Sequence, residues 1–188
     1  MGRGQRHARI VVLVAAMVTA ILAAGASGPP AAAQPAHHRL IPSAVPATTP
    51  NILDGKTLAI AEVGRKVFVG GTFTTTQNAG TSAQLATPYL FEYDRVTGVI
   101  DQTFTPALDG SVVALAPTAD GSAIYVAGTF KLAGTTKVRN IIKIDTSTGA
   151  LVSAFKNPSP NGSILDIALV GNRLLLAGSF TTVATLPR

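Results

Sequence analysis

Six aspartates beyond residue 90 are the groups in this chain that could carry acid–base chemistry. Two carboxylates on either side of a glycosidic bond form the catalytic pair of most glycoside hydrolases, so these residues define what such an enzyme could use here. Most of them fall at positions typical of turns, where an aspartate accepts hydrogen bonds from the backbone two residues on. We therefore expect Asp94 and Asp145 to form turns rather than to act as general acids. The six are Asp94, Asp101, Asp109, Asp120, Asp145 and Asp166.

Four side chains are candidates for ligand binding. Tyr89, Phe91 and Tyr93 alternate along one apolar run, and aromatic rings placed in this way can stack on sugars. Packing of the same rings between neighbouring sheets is the competing explanation, and we favour it. Asp166 interrupts the apolar run "ILDIALV" and is the one polar residue in an otherwise apolar strand.

The histidine and cysteine content excludes several kinds of active site. The chain has no cysteine and three histidines, of which His38 is the last in the sequence. Thiol chemistry, cysteine-bound zinc and a Ser-His-Asp triad in the C-terminal 150 residues are therefore excluded. No glycine-rich segment leads into a helix with the lysine that phosphate binding needs. The sequence predicts no catalytic residue, no cofactor and no bound metal, and it predicts that the pair His37–His38 is exposed to solvent.

The positive charge does not indicate nucleic-acid binding. The formal net charge is +6, but Arg3, Arg6 and Arg9 supply three of the 15 basic residues. From residue 34 onward, 12 basic residues stand against 9 acidic ones, and the longest basic run is Arg65-Lys66. A nucleic-acid surface concentrates its lysines and arginines on one stripe, which this distribution does not predict.

The N-terminal segment has the organisation of a secretory signal peptide. Three arginines precede an apolar stretch from Ile10 to Ala24, and small residues and a Pro-Pro pair follow. Cleavage after Ala26 or Ala33 is compatible with these small residues. Residues 1–33 are thus predicted to direct export through a Sec-type pathway, with no stable membrane span after cleavage. Residues 34–50, with four prolines, are predicted to form a linker.

Residues 51–188 contain repeated segments. The stretch "VFVGGTF" begins at Val67, "IYVAGTF" at Ile124 and "LLLAGSF" at Leu174. "DRVTG" at Asp94 is followed 51 residues later by "DTSTG" at Asp145. A fixed period of this length is typical of repeat architectures. The predicted units are 51–104, 110–155 and a partial third unit, 162–188.

Each unit reads as a succession of short strands. "TLAIAEV", "VVALAP" and "ILDIALV" are β-type runs, and hairpin turns with glycine connect them to the motifs given above. "YLFEYD" and "NIIKID" predict a third strand, and "VIDQTF" and "ALVSAF" a fourth. The sequence therefore predicts an all-β fold made of β-propeller blades, incomplete at about two and a half. Asp166 would lie on a strand that lines the central channel.

These motifs resemble the delta-sixty repeat family, a bacterial β-propeller repeat of secreted actinobacterial proteins. The resemblance rests on Val67 to Thr75, Asp94 to Phe104, Ser111 to Phe130, Arg139 to Phe155 and Ser163 to Thr182. It implies a propeller fold and no recognised catalytic residue.

The sequence leaves three hypotheses about function open. The first is an exported, non-enzymatic propeller scaffold that binds an extracellular protein or glycan and forms the N-terminal part of a longer protein. The second is a secreted carbohydrate-active enzyme whose catalytic residues lie beyond residue 188. The third is a truncated product without function. Since a propeller typically closes with about four to eight blades, closure by oligomerisation is the alternative to a longer chain.

Overall fold

A computed structural model describes residues 48–184 and 186–187 of the chain. The predicted signal peptide (1–33), linker residues 34–47 and the pair His37–His38 lie outside the described residues, so these assignments stay predictions. Every regular element in the described part is a β-strand, and that part contains no helix. The predicted all-β class is therefore confirmed.

Fifteen strands follow one another along the described residues. They are β1 Asn51–Ile52, β2 Thr57–Val63, β3 Lys66–Gly71, β4 Thr75–Gln77, β5 Gln84–Ala86, β6 Leu90–Asp94, β7 Val112–Pro117, β8 Ala123–Gly128, β9 Leu132–Ala133, β10 Thr136–Lys137, β11 Ile141–Asp145, β12 Ile164–Val170, β13 Arg173–Gly178, β14 Thr182–Val183 and β15 Leu186–Pro187.

Three antiparallel hairpins share one pairing pattern: β2 with β3, β7 with β8, and β12 with β13. In each, the first strand has a bulge just after its first paired residue, and that residue lies opposite the glycine that ends the second strand. A third strand joins two of the hairpins, β6 beside β3 and β11 beside β8. We call β2–β3–β6 sheet 1, β7–β8–β11 sheet 2 and β12–β13 sheet 3. Smaller sheets comprise β1–β4–β5, β9–β10 and β14–β15.

The recurring motif requires glycine at the last residue of β3 and of β8, because the neighbouring backbone leaves no room for a side chain. A side chain at Gly71 would overlap the carbonyl oxygen of Lys56, and one at Gly128 would overlap that of Ser111. The backbones of the two hairpin strands approach too closely at this point for any Cβ atom. Two residues later the phenylalanine of the motif, Phe73 in the first copy, is fully buried.

The fourth strands differ from the prediction. Ile100 and Leu151 each form only one isolated bridge to the third strand. After Ile100, the carboxylate of Asp101 accepts hydrogen bonds from the backbone N–H and the hydroxyl of Thr103 (2.8 and 2.6 Å). This local turn takes the chain away from the sheet, because side-chain bonds of this kind compete with strand pairing.

Sheet 2 is packed on both faces. On one face Ile124 and Val126 join Phe68 of sheet 1 in a buried cluster, and on the other Ala127 joins Ile164 of sheet 3. We call these contacts the first junction (sheets 1 and 2) and the second junction (sheets 2 and 3). The hydrophobic core of the described residues thus lies largely between successive sheets.

Candidate binding clefts

Each junction has a cleft at corresponding places in the chain. The first cleft, of about 280 Å³, lies between residues 85–90 and residues 101–107. The second cleft, of about 800 Å³, lies between residues 131–140 and residues 157–161. Both are formed by the segment that precedes the third strand of one sheet and the segment that leads to the next sheet.

Two polar side chains anchor the walls of the second cleft through hydrogen bonds: Asp109 just before β7 and Asn161 just before β12. The Oδ1 atom of Asp109 accepts hydrogen bonds from the backbone N–H groups of Lys131 and Leu132 (2.7 and 2.8 Å). Oδ1 of Asn161 accepts those of Thr181 and Thr182 in the same way (2.8 and 3.0 Å). These bonds hold the loop that follows the second strand of each hairpin, which we call the outer loop, against the start of the first strand of the same unit.

Amide side chains on the second cleft are occupied by structural bonds. Nδ2 of Asn140 donates to the carbonyl oxygen of Gly162 (3.2 Å), which links sheet 2 to the start of the third unit. Nδ2 of Asn157 donates to the carbonyl oxygens of Arg139 and Ile141 (3.2 and 2.6 Å). The amides therefore shape the cleft and leave ligand recognition to other groups.

Three cations line the second cleft: Lys131, Lys137 and Arg139. All three are exposed, and none forms an ion pair with another described residue. None of the described residues in the lining carries a carboxylate. The nearby Asp109 is held ionised, because hydrogen bonds from the backbone N–H groups of Leu132 and Lys131 lower its pKa. A cleft with this composition attracts carboxylate or phosphate groups.

The first cleft has different chemistry. Its lining includes the buried Leu90 and Phe104 and the exposed Pro88, and the only charged side chain among its described residues is the carboxylate of Asp101. Hydrogen bonds from the hydroxyl and backbone N–H of Thr103 lower the pKa of Asp101. The two clefts thus differ in charge, which is negative in the first and positive in the second.

The left-handed backbone conformations near both clefts are required by the course of the backbone and not by a ligand. Tyr89 (φ 66°) and Asn140 (φ 60°) each precede a third strand, and Ala107 (φ 47°) and Ser159 (φ 46°) each lie two residues before the residue that anchors the outer loop. Left-handed residues often mark functional sites. Here they recur at corresponding positions whether the charged lining residues are basic or acidic, so they do not indicate a ligand.

The three predicted aromatic binding residues are not on one surface. Phe91 is only 2% exposed and lies edge-on to Phe73, with ring centroids 5.3 Å apart. Tyr93 is next to it, 6.2 Å from the Phe91 ring, whereas Tyr89 packs against the cluster in the first junction. Sheet 1 thus brings Phe91 and Tyr93 together and places Tyr89 on the opposite side.

Asp166 lies in β12 at the bulge that follows Ile164. It is exposed, and its Oδ1 atom accepts a hydrogen bond from the backbone N–H of Ile167 (2.8 Å). Alanines occupy the corresponding positions of the other two sheets, Ala59 and Ala114.

Asp94 and Asp145 form turns, as expected. Oδ1 of Asp94 accepts the backbone N–H groups of Val96 and Thr97, and Oδ1 of Asp145 accepts those two and three residues on. The pKa of Asp94 is lowered to about 2 by its contact with Arg65 and by these bonds, and that of Asp145 to about 2 by the hydroxyl and N–H of Ser147 and then by Thr148.

The basic cleft was missed by sequence reasoning. Lys131, Lys137 and Arg139 fall within nine residues, but they are not adjacent and so form no basic run. The signal that could have revealed them is the comparison between units, because residues 74–88 of the first unit contain no lysine or arginine.

No protein-family model, curated protein or solved structure matches the chain. Among the described residues, no group of three or more histidine, cysteine or acidic side chains is placed to hold a metal ion. The same residues include no helix that is long and apolar enough to cross a membrane.

Proposed function

We propose that this chain is an exported, non-enzymatic β-propeller module that binds an anionic extracellular glycan in its second cleft. The observation that carries the proposal is the set of three exposed cations, Lys131, Lys137 and Arg139, in a cleft of about 800 Å³ whose described lining residues include no carboxylate. Lysine and arginine recognise carboxylates and phosphates through charge-assisted hydrogen bonds. Uronic acids and sugar phosphates carry these groups.

The propeller architecture is part of the proposal. Three hairpins with the same pairing and the same bulge, packed face to face in chain order, are what propeller blades require. The recurrence of "VFVGGTF", "IYVAGTF" and "LLLAGSF" supports the interpretation of the units as repeats, and so does the resemblance to delta-sixty repeats. The apolar N-terminal segment supports export.

A polymer recognised by its charge suits the cleft better than a protein partner. Protein interfaces depend on buried aromatic or arginine anchors in desolvated pockets. The residues that line the second cleft include no aromatic side chain, and its three cations are exposed. Recognition here would combine several moderate ionic contacts along a repeating ligand.

The test is the binding of the full chain to immobilised polygalacturonate, with neutral dextran as the reference polymer. We expect binding to polygalacturonate that weakens as salt is added, because exposed charges are screened. The triple variant Lys131→Ala, Lys137→Ala, Arg139→Ala should bind about 3- to 150-fold more weakly, since each exposed ionic contact contributes about 0.2–1 kcal/mol.

The matched control removes the same number of cations from the first unit, through Lys56→Ala, Arg65→Ala and Arg95→Ala. Equal losses in the two triple variants would show that net charge alone causes binding and would contradict the proposal. Single-stranded DNA of equal charge serves as a competitor. If it binds as tightly as polygalacturonate, the cleft has no preference for a glycan and that part of the proposal is wrong.

A further inference from the structure

Sheet 3 has an apolar outer face. Val170 and Leu175 lie on the side that points away from sheet 2 and are 60% and 53% exposed. The position of Leu175 in its hairpin corresponds to Phe68 in sheet 1, which is fully buried against sheet 2. Sheet 3 thus exposes a surface that the other two sheets bury.

Sheet 1 has a complementary exposed surface along β2 only, because Val67 and Val69 on the same side of β3 are already buried. Ile60 of β2 is 67% exposed, whereas Ile167, at the corresponding position of β12, is 6% exposed because it packs against sheet 2. Thr57 of β2 is also exposed and corresponds to Val112 of β7, which is fully buried in the first junction. The side of β2 that points away from sheet 2 therefore has exposed residues where later units have buried ones.

The first junction shows how two such surfaces fit. An added Cβ on Gly70 of sheet 1 would overlap the side chain of Val112 and lie 3.7 Å from Leu115, both in β7. Val63 at the end of β2 approaches Gly121 in the turn of the next hairpin. The corresponding residues on the open faces are Ala177 and Val170 on sheet 3, and Thr57, Ile60 and the turn at Gly64 on sheet 1.

We propose that the outer face of sheet 3 binds sheet 1 of a second copy of this chain, so that two copies form a closed head-to-tail dimer. Each copy would contribute its Leu175 face to one interface and its Ile60 face to the other. Two copies together would supply six sheets, within the range of about four to eight blades in which propellers close.

Charge complementarity supports this partner. Asp166 projects from the outer face of sheet 3 beside Ala177, its cross-strand neighbour. If the dimer interface repeats the contacts of the first junction, Ala177 meets Thr57 of the other copy, as Gly70 meets Val112. Thr57 is next to the exposed Lys56. Lys56 forms no ion pair with another described residue.

Sedimentation velocity of the full chain at micromolar concentration tests the proposal. We expect the wild-type mass to be that of a dimer. Leu175→Asp and Ile60→Asp should each raise the dimer dissociation constant about 30-fold or more, as for a residue at the centre of an interface. Val99→Asp, at a residue that is 52% exposed in the loop after β6 and has no counterpart among the residues proposed to meet, is the control and should leave the dimer intact.

Mixing the two variants shows whether the interface is head-to-tail. A Leu175→Asp copy retains a normal sheet 1 and an Ile60→Asp copy a normal sheet 3, so an equimolar mixture should form a dimer through one intact interface. Asp166→Lys should weaken the dimer, and adding Lys56→Asp should restore it.

Three outcomes would overturn the proposal. A wild-type chain that remains monomeric would leave the face of sheet 3 to another occupant, such as a further unit of a longer polypeptide. A dimer lost with Leu175→Asp but kept with Ile60→Asp would be symmetric through sheet 3. Species that grow beyond a dimer with concentration would show head-to-tail contacts that do not close. None of these results depends on the ligand of the second cleft.

Discussion

The two junctions are built on the same strand pairings and have different interiors. In the first, Ile124 and Val126 are fully buried, and the cleft measures about 280 Å³. In the second, the corresponding Leu174 and Leu176 are partly exposed, and the cleft measures about 800 Å³. Backbone register and close-packing glycines fix the hairpins, whereas the side chains between the sheets are free to differ. We infer that the first junction serves stability and the second serves binding.

The largest expected difference is the effect of removing the phenylalanine that ends each unit. Phe104 is 5% exposed and packs edge-on to Phe68, with ring centroids 5.4 Å apart. Phe104→Ala should reduce the free energy of unfolding by about 3–5 kcal/mol, because a buried ring and its contacts are lost. Phe155 makes the same kind of contact with Tyr125 at 5.4 Å but is partly exposed, so Phe155→Ala should cost about half as much.

Urea unfolding of both variants measures this difference, provided that the slope with denaturant stays unchanged. Equal losses would show that the second junction is packed as tightly as the first, and the division of roles between them would be wrong.

The hairpins and third strands could be predicted because their signals are local. Alternating apolar residues, glycine at hairpin turns and the motif around Phe73 and Phe130 specify strands without reference to distant residues. The fourth strands could not, because "VIDQTF" has an apolar pattern and also an aspartate that captures Thr103 in a turn. Whether the segment pairs as a strand or forms the turn at Asp101 depends on the sheet that it would join, which lies outside the segment itself.

A second difference concerns the charged residue in the middle of each third strand. Glu92 is 3% exposed and accepts a hydrogen bond from Nζ of Lys66 (2.8 Å), which also donates to the carbonyl oxygen of Thr146, just after β11 of sheet 2. Glu92→Ala should reduce the free energy of unfolding by about 1–3 kcal/mol, since Lys66 loses its charged acceptor. The corresponding Lys143 lies 5.2 Å from the centre of the Tyr125 ring, and Lys143→Ala should cost about 0.5–1 kcal/mol. Thermal unfolding of the two variants compares them, and a larger loss for Lys143→Ala would contradict this ranking.

The same glutamate predicts a pH dependence. Burial raises the pKa of Glu92 above its ordinary 4.5, although Lys66 opposes the shift. A raised pKa means that the folded state binds the proton more tightly, so this group favours folding below pH 4.5 and loses that contribution as the pH rises through its pKa. Glu92→Gln should remove this part of the fall in stability above pH 4.5. An identical profile in wild type and Glu92→Gln would contradict the assignment.

A smaller effect is expected when cations are added to the first cleft. Ala86 and Pro88 are exposed and line it, near the positions that Lys137 and Arg139 occupy in the second cleft. The variant Ala86→Lys, Pro88→Arg should bind polygalacturonate about 2- to 30-fold more tightly than the wild type, from two ionic contacts of about 0.2–1 kcal/mol each. Ala86→Gln, Pro88→Gln is the uncharged control. No gain would show that the shape of the second cleft matters as well as its charge.

The basic cleft itself could not be derived from one unit alone. The spacing of Lys131, Lys137 and Arg139 produces no run, and only the fold of residues 131–140 places the three side chains on one cavity. Tyr89, by contrast, was grouped with Phe91 and Tyr93 because alternation assumes a continuous strand. Tyr89 itself has a left-handed backbone conformation and lies just before β6, so its side chain points to the other side of the sheet, and alternation contains no signal for that.

The smallest effect concerns the anchor that holds Lys131 on the second cleft. Asp109 accepts the backbone N–H groups of Lys131 and Leu132, and Asn161 shows that an amide oxygen makes the same two bonds one unit later. Asp109→Asn should therefore leave stability at neutral pH nearly unchanged. The pKa of Asp109 is lowered in the folded state, first by Leu132 and then by Lys131, so its contribution is present above pH 3.8 and is lost as the pH falls further.

An amide does not titrate in this range, so Asp109→Asn should retain the anchor in acid when the wild type loses it. Amide hydrogen exchange of Lys131 and Leu132 reports the two bonds directly. We expect their protection to fall in the wild type as the pH drops below 3.8 and to persist in Asp109→Asn, with Thr181 and Thr182, anchored by Asn161, as internal controls. If protection of Lys131 falls equally in both proteins, the loop is held by the packing of Phe130 and Ala133 rather than by the anchor. The anchor at Asp109 would then not contribute to the difference between the two clefts, and only the side chains that line them would distinguish them.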